Sequence, residues 1–196
     1  MGWALTAAFA ALALPCVLRL VRLDYTRLGV AVRHGDLAEL LLVVAMVAML
    51  SPVGGPIPAA GWQAVLALTA GWFAAAWWRG GRGCAHHALS AAAMFYMVTA
   101  MPHGGMDHGP WLTMSTMDSR LALPVVAVVA AGYFVVDAAW SGVGVLRGAA
   151  GTAPGEMAGV GVVTGAAPVR AGQASRAVCR AAMGAGMGYL LLAAAL

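Results

Sequence analysis

Four of the chain's five histidines and six of its twelve methionines fall in one stretch, Ala85 to Asp118. Imidazole and thioether together make the donor set of copper(I); zinc makes little use of methionine, and calcium and magnesium prefer oxygen. The second half of the stretch reads as a polar loop, 102–119, that gathers His103, Met106, Asp107, His108, Met114, Met117 and Asp118. Its first half, Ala85 to Met101, is apolar and stops at Pro102, the pattern of a membrane helix running out to one surface. At about 100° per residue, His87, Ser90, Met94, Met97 and Met101 share one narrow stripe of that helix. The expected metal donors are therefore His103, Met106, His108, Met114 and Met117 in the loop, with His87, Met94, Met97 and Met101 on the helix.

Composition says what must position these donors. The chain has 196 residues, 62% of them hydrophobic and 9% charged, with mean hydropathy +0.85. A soluble domain of this size is closer to about a quarter charged, so the chain reads as an integral membrane protein with the lipid bilayer as its first partner. The formal charge of +4 comes from arginine alone, without lysine. Those arginines fall at the ends of apolar runs, where membrane topology accounts for them, so no nucleic-acid partner is expected.

Apolar runs at 3–21, 37–51, 60–78, 85–101, 121–140 and 178–196 predict an all-α integral membrane protein, a six-helix transmembrane bundle. The first run lacks a basic segment ahead of it and reads as an uncleaved span. The second is short for a span and needs its flanks or a thin bilayer. With the N-terminus outside, the inner loops and helix ends hold ten arginines, and only Arg120 lies outside. This positive-inside bias puts both termini and the His/Met loop on the outer face of a bacterial plasma membrane. Residues 1–140 then hold five helices and the 102–119 loop. Residues 141–176, with nine glycines, two prolines and no period, read as a flexible cytoplasmic linker, and 177–196 as the sixth helix.

The helices are expected to pair as three hairpin-like units. Gly2-Trp3 and Gly61-Trp62 open the first and third helices, each placing a tryptophan at the outer interface. The second helix carries Glu39-x6-Met46-x2-Met49 and the fourth His87-x6-Met94-x2-Met97, the same spacing; the sixth carries Met183-x3-Met187.

Each of these residues also has a plain structural reading. Methionine fills irregular gaps between helices, so the thioethers of the second, fourth and sixth helices equally suit packing. His86 and His87 suit an interfacial pair. Haem ligation by two histidines would need another embedded histidine, and His34 lies in an inner loop. Asp36-x-x-Glu39 resembles a capping box opening the second helix. Asp137 is expected to pair with an inner-face arginine such as Arg180, and Gly184-x3-Gly188 permits close helix contact. Cys16, Cys84 and Cys179 all fall toward the inner face, where thiols stay reduced. Cys84 beside His86 reads as a buried thiol or, alternatively, a soft exit site for copper(I). No hydrolase, kinase or dinucleotide signature is present, and no enzymatic activity is expected.

Ala85-His86-His87 followed by Ala93-Met94-x-Tyr96-Met97 and Ala100-Met101, together with Ala45-Met46-x2-Met49, resembles an uncharacterised family of actinobacterial multi-pass membrane proteins, a domain of unknown function. In that family pattern the second helix carries a histidine one or two turns before its methionines; here those positions hold Glu39 and apolar residues. The resemblance implies a plasma-membrane location and supplies no activity. The expected function is copper binding or handling, in uptake, sensing or delivery, through the outer loop and the intramembrane stripe. The alternative is a ligand-free membrane scaffold or assembly protein, and the third reading is a haem-binding electron carrier.

Overall fold

The computed structural model describes residues 2–51, 57–81, 83–100, 124–150 and 166–195. Among them are seven helices and no strand: α1 (Gly2–Arg22), α2 (Tyr25–Leu28), α3 (Val30–Leu50), α4 (Ala59–Trp78), α5 (Cys84–Ala100), α6 (Pro124–Ala150) and α7 (Ala166–Ala195). The six long helices correspond to the six expected, and α1 with α3, α4 with α5, and α6 with α7 make the most extensive contacts. Three of them, over Trp3–Arg22, Ala59–Trp78 and Pro124–Gly144, are long and apolar enough to cross a membrane. Large apolar side chains on these helices face outward, among them Leu14, Val21, Leu68, Trp72, Trp78, Val129 and Trp140. So much exposed apolar surface suits a lipid-facing exterior and would be a liability in water. The molecule is a membrane-type, all-helical protein.

Local chemistry sets the helix ends. Asp24 caps α2, its side chain accepting from the Thr26 N–H at 3.1 Å. Gly29, with φ of 91°, then turns the chain directly into α3, a left-handed conformation that a side chain would resist. The helix therefore begins at Val30, well before the expected 37, and its 21 residues reach about 31 Å at 1.5 Å per residue. The expected shortfall in length disappears. The capping-box reading of Asp36 and Glu39 fails for the same reason: both sit inside α3, and both are buried. At the end of α4, Gly80 (φ 88°) donates to the Trp77 carbonyl at 2.9 Å and Gly81 to that of Ala76 at 3.0 Å. This is a Schellman stop, and it lets α5 start at Cys84.

The segment expected as linker, 141–176, is helical wherever it is described, because α6 continues to Ala150 and α7 begins at Ala166. Tertiary contacts explain the extension of α7. A Cβ on Gly172 would lie 3.4 Å from Leu23, and one helical turn on, Arg176 binds Asp36 of α3. Residues 151–165 lie outside the described residues. The paired tryptophans also part company: Trp3 is exposed, whereas Trp62 is fully buried.

Gly184 and Gly188 do bring two helices together. A Cβ on Gly184 would lie 3.1 Å from the Phe134 carbonyl oxygen, and one on Gly188 3.1 Å from Val135, both on α6. Gly186, between them, faces α1 instead, where a Cβ would stand only 2.2 Å from the Phe9 ring. These small residues set the approach of α7 to two neighbours at once. Gly184→Leu should therefore destabilise the protein by on the order of 2 kcal/mol or more. Thermal unfolding in detergent would show it, and an unchanged midpoint would mean that α6 and α7 do not meet here.

Candidate metal centre

The buried polar residues gather at the arginine-bearing end of the bundle. Arg19 of α1 is 5% exposed and Asp36 of α3 only 1%, so both charges lie in the interior. Arg19 forms an ion pair with Glu39 through Nη2, and its Nε lies 3.7 Å from Asp36 Oδ1. Arg176 of α7 grips Asp36 with both arms of its guanidinium, Nε to Oδ1 and Nη2 to Oδ2, each at 2.8 Å. The Tyr25 hydroxyl donates to Asp36 Oδ2 at 2.7 Å. Burial, and that bond to a carboxylate, push the Tyr25 phenol up to about 12 from 10.0. Its contribution is thus full below pH 10 and is lost as pH rises through about 12. Four elements, α1, α2, α3 and α7, are joined through one aspartate.

A second pair closes the neighbouring side. Arg180 of α7 binds Asp137 of α6 in the same forked manner, Nε to Oδ2 at 2.9 Å and Nη2 to Oδ1 at 2.5 Å, which is the pairing expected from the sequence. His86 Nδ1 stands 3.3 Å from Asp137 Oδ2, close, but without hydrogen-bond geometry. His86 is buried and His87 half-buried, its ring tilted against Phe73 with centroids 5.0 Å apart. His86, which the stripe does not include, is thus the more deeply placed of the two.

Soft donors lie beside the charges. Cys16 Sγ of α1 and Cys179 Sγ of α7 are 3.9 Å apart, and Arg19 Nη2 donates to Cys16 Sγ at 3.4 Å. Cys16, Glu39 and Cys179 hold their ligand atoms within 4.8 Å of one another, all buried. Along α7, Cys179, Met183 and Met187 follow at four-residue steps, each at most 1% exposed. Met46 and Met49 of α3 and Met94 and Met97 of α5 are buried in the same core. On the α5 stripe Ser90 is 1% exposed, and its hydroxyl has no hydrogen-bond partner among the described residues; the same holds for His87 Nδ1.

Of the metal donors expected from the sequence, the structure places Met94 and Met97 in the core and His87 at its edge. Met101, His103, Met106, His108, Met114 and Met117 lie outside the described residues. The thiol pair was missed, because two cysteines separated by 163 positions carry no spacing signal. Arg19 and Glu39 were legible in principle: ionised groups inside apolar helices seldom lack partners.

An all-helical membrane-type protein with a paired ionic cluster and a soft-donor core is the class these features define. The chain belongs to the family described as a domain of unknown function, DUF5134, which matches residues 31–194. The match thus takes in α3 to α7 and leaves α1, with Cys16 and Arg19, ahead of it. Neither a curated protein nor a solved structure matches the chain.

Removing one partner from a buried ionic network strands the others. Asp36→Ala leaves Arg176 and part of Arg19 uncompensated and should cost about 3–5 kcal/mol. Chemical denaturation in detergent measures it, and a loss below about 1 kcal/mol would mark the cluster as solvated.

Proposed function

We propose that this chain is a six-span protein of the bacterial plasma membrane that binds and hands on copper(I). The outer donors are His103, Met106, His108, Met114 and Met117. The inward path runs along Met101, Met97 and Met94 to His87. What carries the reading over simple packing is Ser90, a buried hydroxyl without a hydrogen-bond partner among the described residues, on that same stripe between His87 and Met94. A core that only packs would be better served there by alanine, since an unpaired buried hydroxyl costs free energy. A single positive charge moving among thioethers also loses less hydration than a divalent ion would.

The scaffold reading has its own support in the complete burial of Met46, Met49, Met94, Met97, Met183 and Met187, a packing role that methionine fills well. The two readings differ in what purified protein binds. Copper(I) should bind ahead of zinc, and replacing His103, Met106 and His108 together should weaken that binding strongly. Met94→Leu, close in volume, should leave folding intact while slowing copper passage across proteoliposomes. Equal binding by parent and triple variant, or binding by neither, would leave the methionines as packing.

The orientation rests on arginine placement, with both termini outside and residues 141–176 on the cytoplasmic side. Of single cysteines introduced at Ala4 and at Gly155, in a background with the native cysteines replaced, that at 4 should be labelled in intact cells by an impermeant maleimide and that at 155 only after the membrane is permeabilised. Labelling of both from the outer face would overturn the six-span arrangement.

A further inference from the structure

We infer that Cys16 and Cys179 form a two-thiolate copper(I) site, with Arg19 as a hydrogen-bond donor to one of its sulfurs. The site shares the soft-metal reading above in the identity of its ion, but uses none of the loop or α5 residues. Two metal–sulfur bonds of about 2.3 Å set their sulfurs from about 3.8 Å apart at a tetrahedral angle to about 4.6 Å when collinear. The observed 3.9 Å lies at the short end of that span, and a small rotation of the two cysteine side chains opens it toward the collinear arrangement that two-coordinate copper(I) favours.

Donor number selects the ion. With both thiols protonated and Arg19 paired to Glu39, the pocket is neutral. Copper(I) displaces one proton from each thiol as its two sulfur bonds form, and the two protons leave to solvent. The product, copper(I) with two thiolates, carries one net negative charge. Arg19 is placed to donate to one of the two sulfurs: Nη2 already does so to Cys16 Sγ, and the buried Nε and Nη1 have no hydrogen-bond partner among the described residues. Zinc fits worse. It calls for four donors, and Glu39, the one further candidate in reach, is engaged by Arg19. Thiolate is also a stronger donor for copper(I) than thioether. The column Met187, Met183, Cys179, at about 6 Å per step along α7, therefore ends on its tightest site.

The test counts protons. Full-length protein in detergent, reduced and kept anaerobic, is titrated with copper(I) in weak buffer containing a pH dye, at a pH where the histidines are neutral. Thioether and neutral imidazole bind copper(I) without releasing protons, so the tightest equivalent should release two protons per copper, and fewer would overturn the site. Because this readout uses the unmodified chain, it does not depend on whether a variant folds. Cys179→Ser should then abolish the proton-coupled binding, and retention of it would equally overturn the site. The His103, Met106 and His108 triple variant separates the two proposals. If it keeps the proton-coupled copper and loses nothing else, the thiolate site stands and the loop reading fails. If parent copper binds without proton release and the triple variant loses it, the loop reading stands and the thiolate site fails.

Discussion

Ionised side chains in an apolar interior must meet partners of opposite charge, and Asp36 is where this chain meets that demand. Its two oxygens take the fork of Arg176 and the hydroxyl of Tyr25, with Arg19 beside them and Glu39 behind. Each partner comes from a different part of the chain, so satisfying one carboxylate brings α1, α2, α3 and α7 to one place. Such a cluster is weak evidence for stability, since apolar replacements of similar volume often do as well. Its stronger consequence is geometric. It fixes which turn of α7 lies against α1, and so brings Cys179 to Cys16.

The other half of that docking is steric. Gly184 and Gly188 let α7 approach the backbone of α6, and Gly186 accepts the ring of Phe9 from α1. Glycine on two faces of one helix allows contact with two neighbours at backbone distance, where dispersion rather than the hydrophobic effect must hold membrane helices together. Polar pairing at one end and small residues along the middle therefore act on the same helix. The buried methionines fill what remains, flexible enough to suit the gaps and soft enough to bind a metal.

What the sequence by itself determined is the helix inventory, the helical pairing, the room for a close helix contact at Gly184 and Gly188 and the Asp137–Arg180 partnership. Each of these is written in local pattern or in the cost of an unpaired charge in an apolar run. It also marked Met94 and Met97 as one stripe, because spacings of three and four place residues on one face whatever the helix packs against. The start of α3, the helical ends of the 141–176 segment and the roles of Arg19, Asp36 and Glu39 were decided only by the tertiary structure. Locally, the charges of α3 look like a helix start; in the fold they are interior groups neutralised from α1 and α7, so the helix runs on through them. Likewise Arg19 looks like a membrane-topology signal until Glu39 is found beside it. The Cys16–Cys179 pair lies furthest from local pattern, since proximity across the whole chain arises from packing and leaves no trace in spacing.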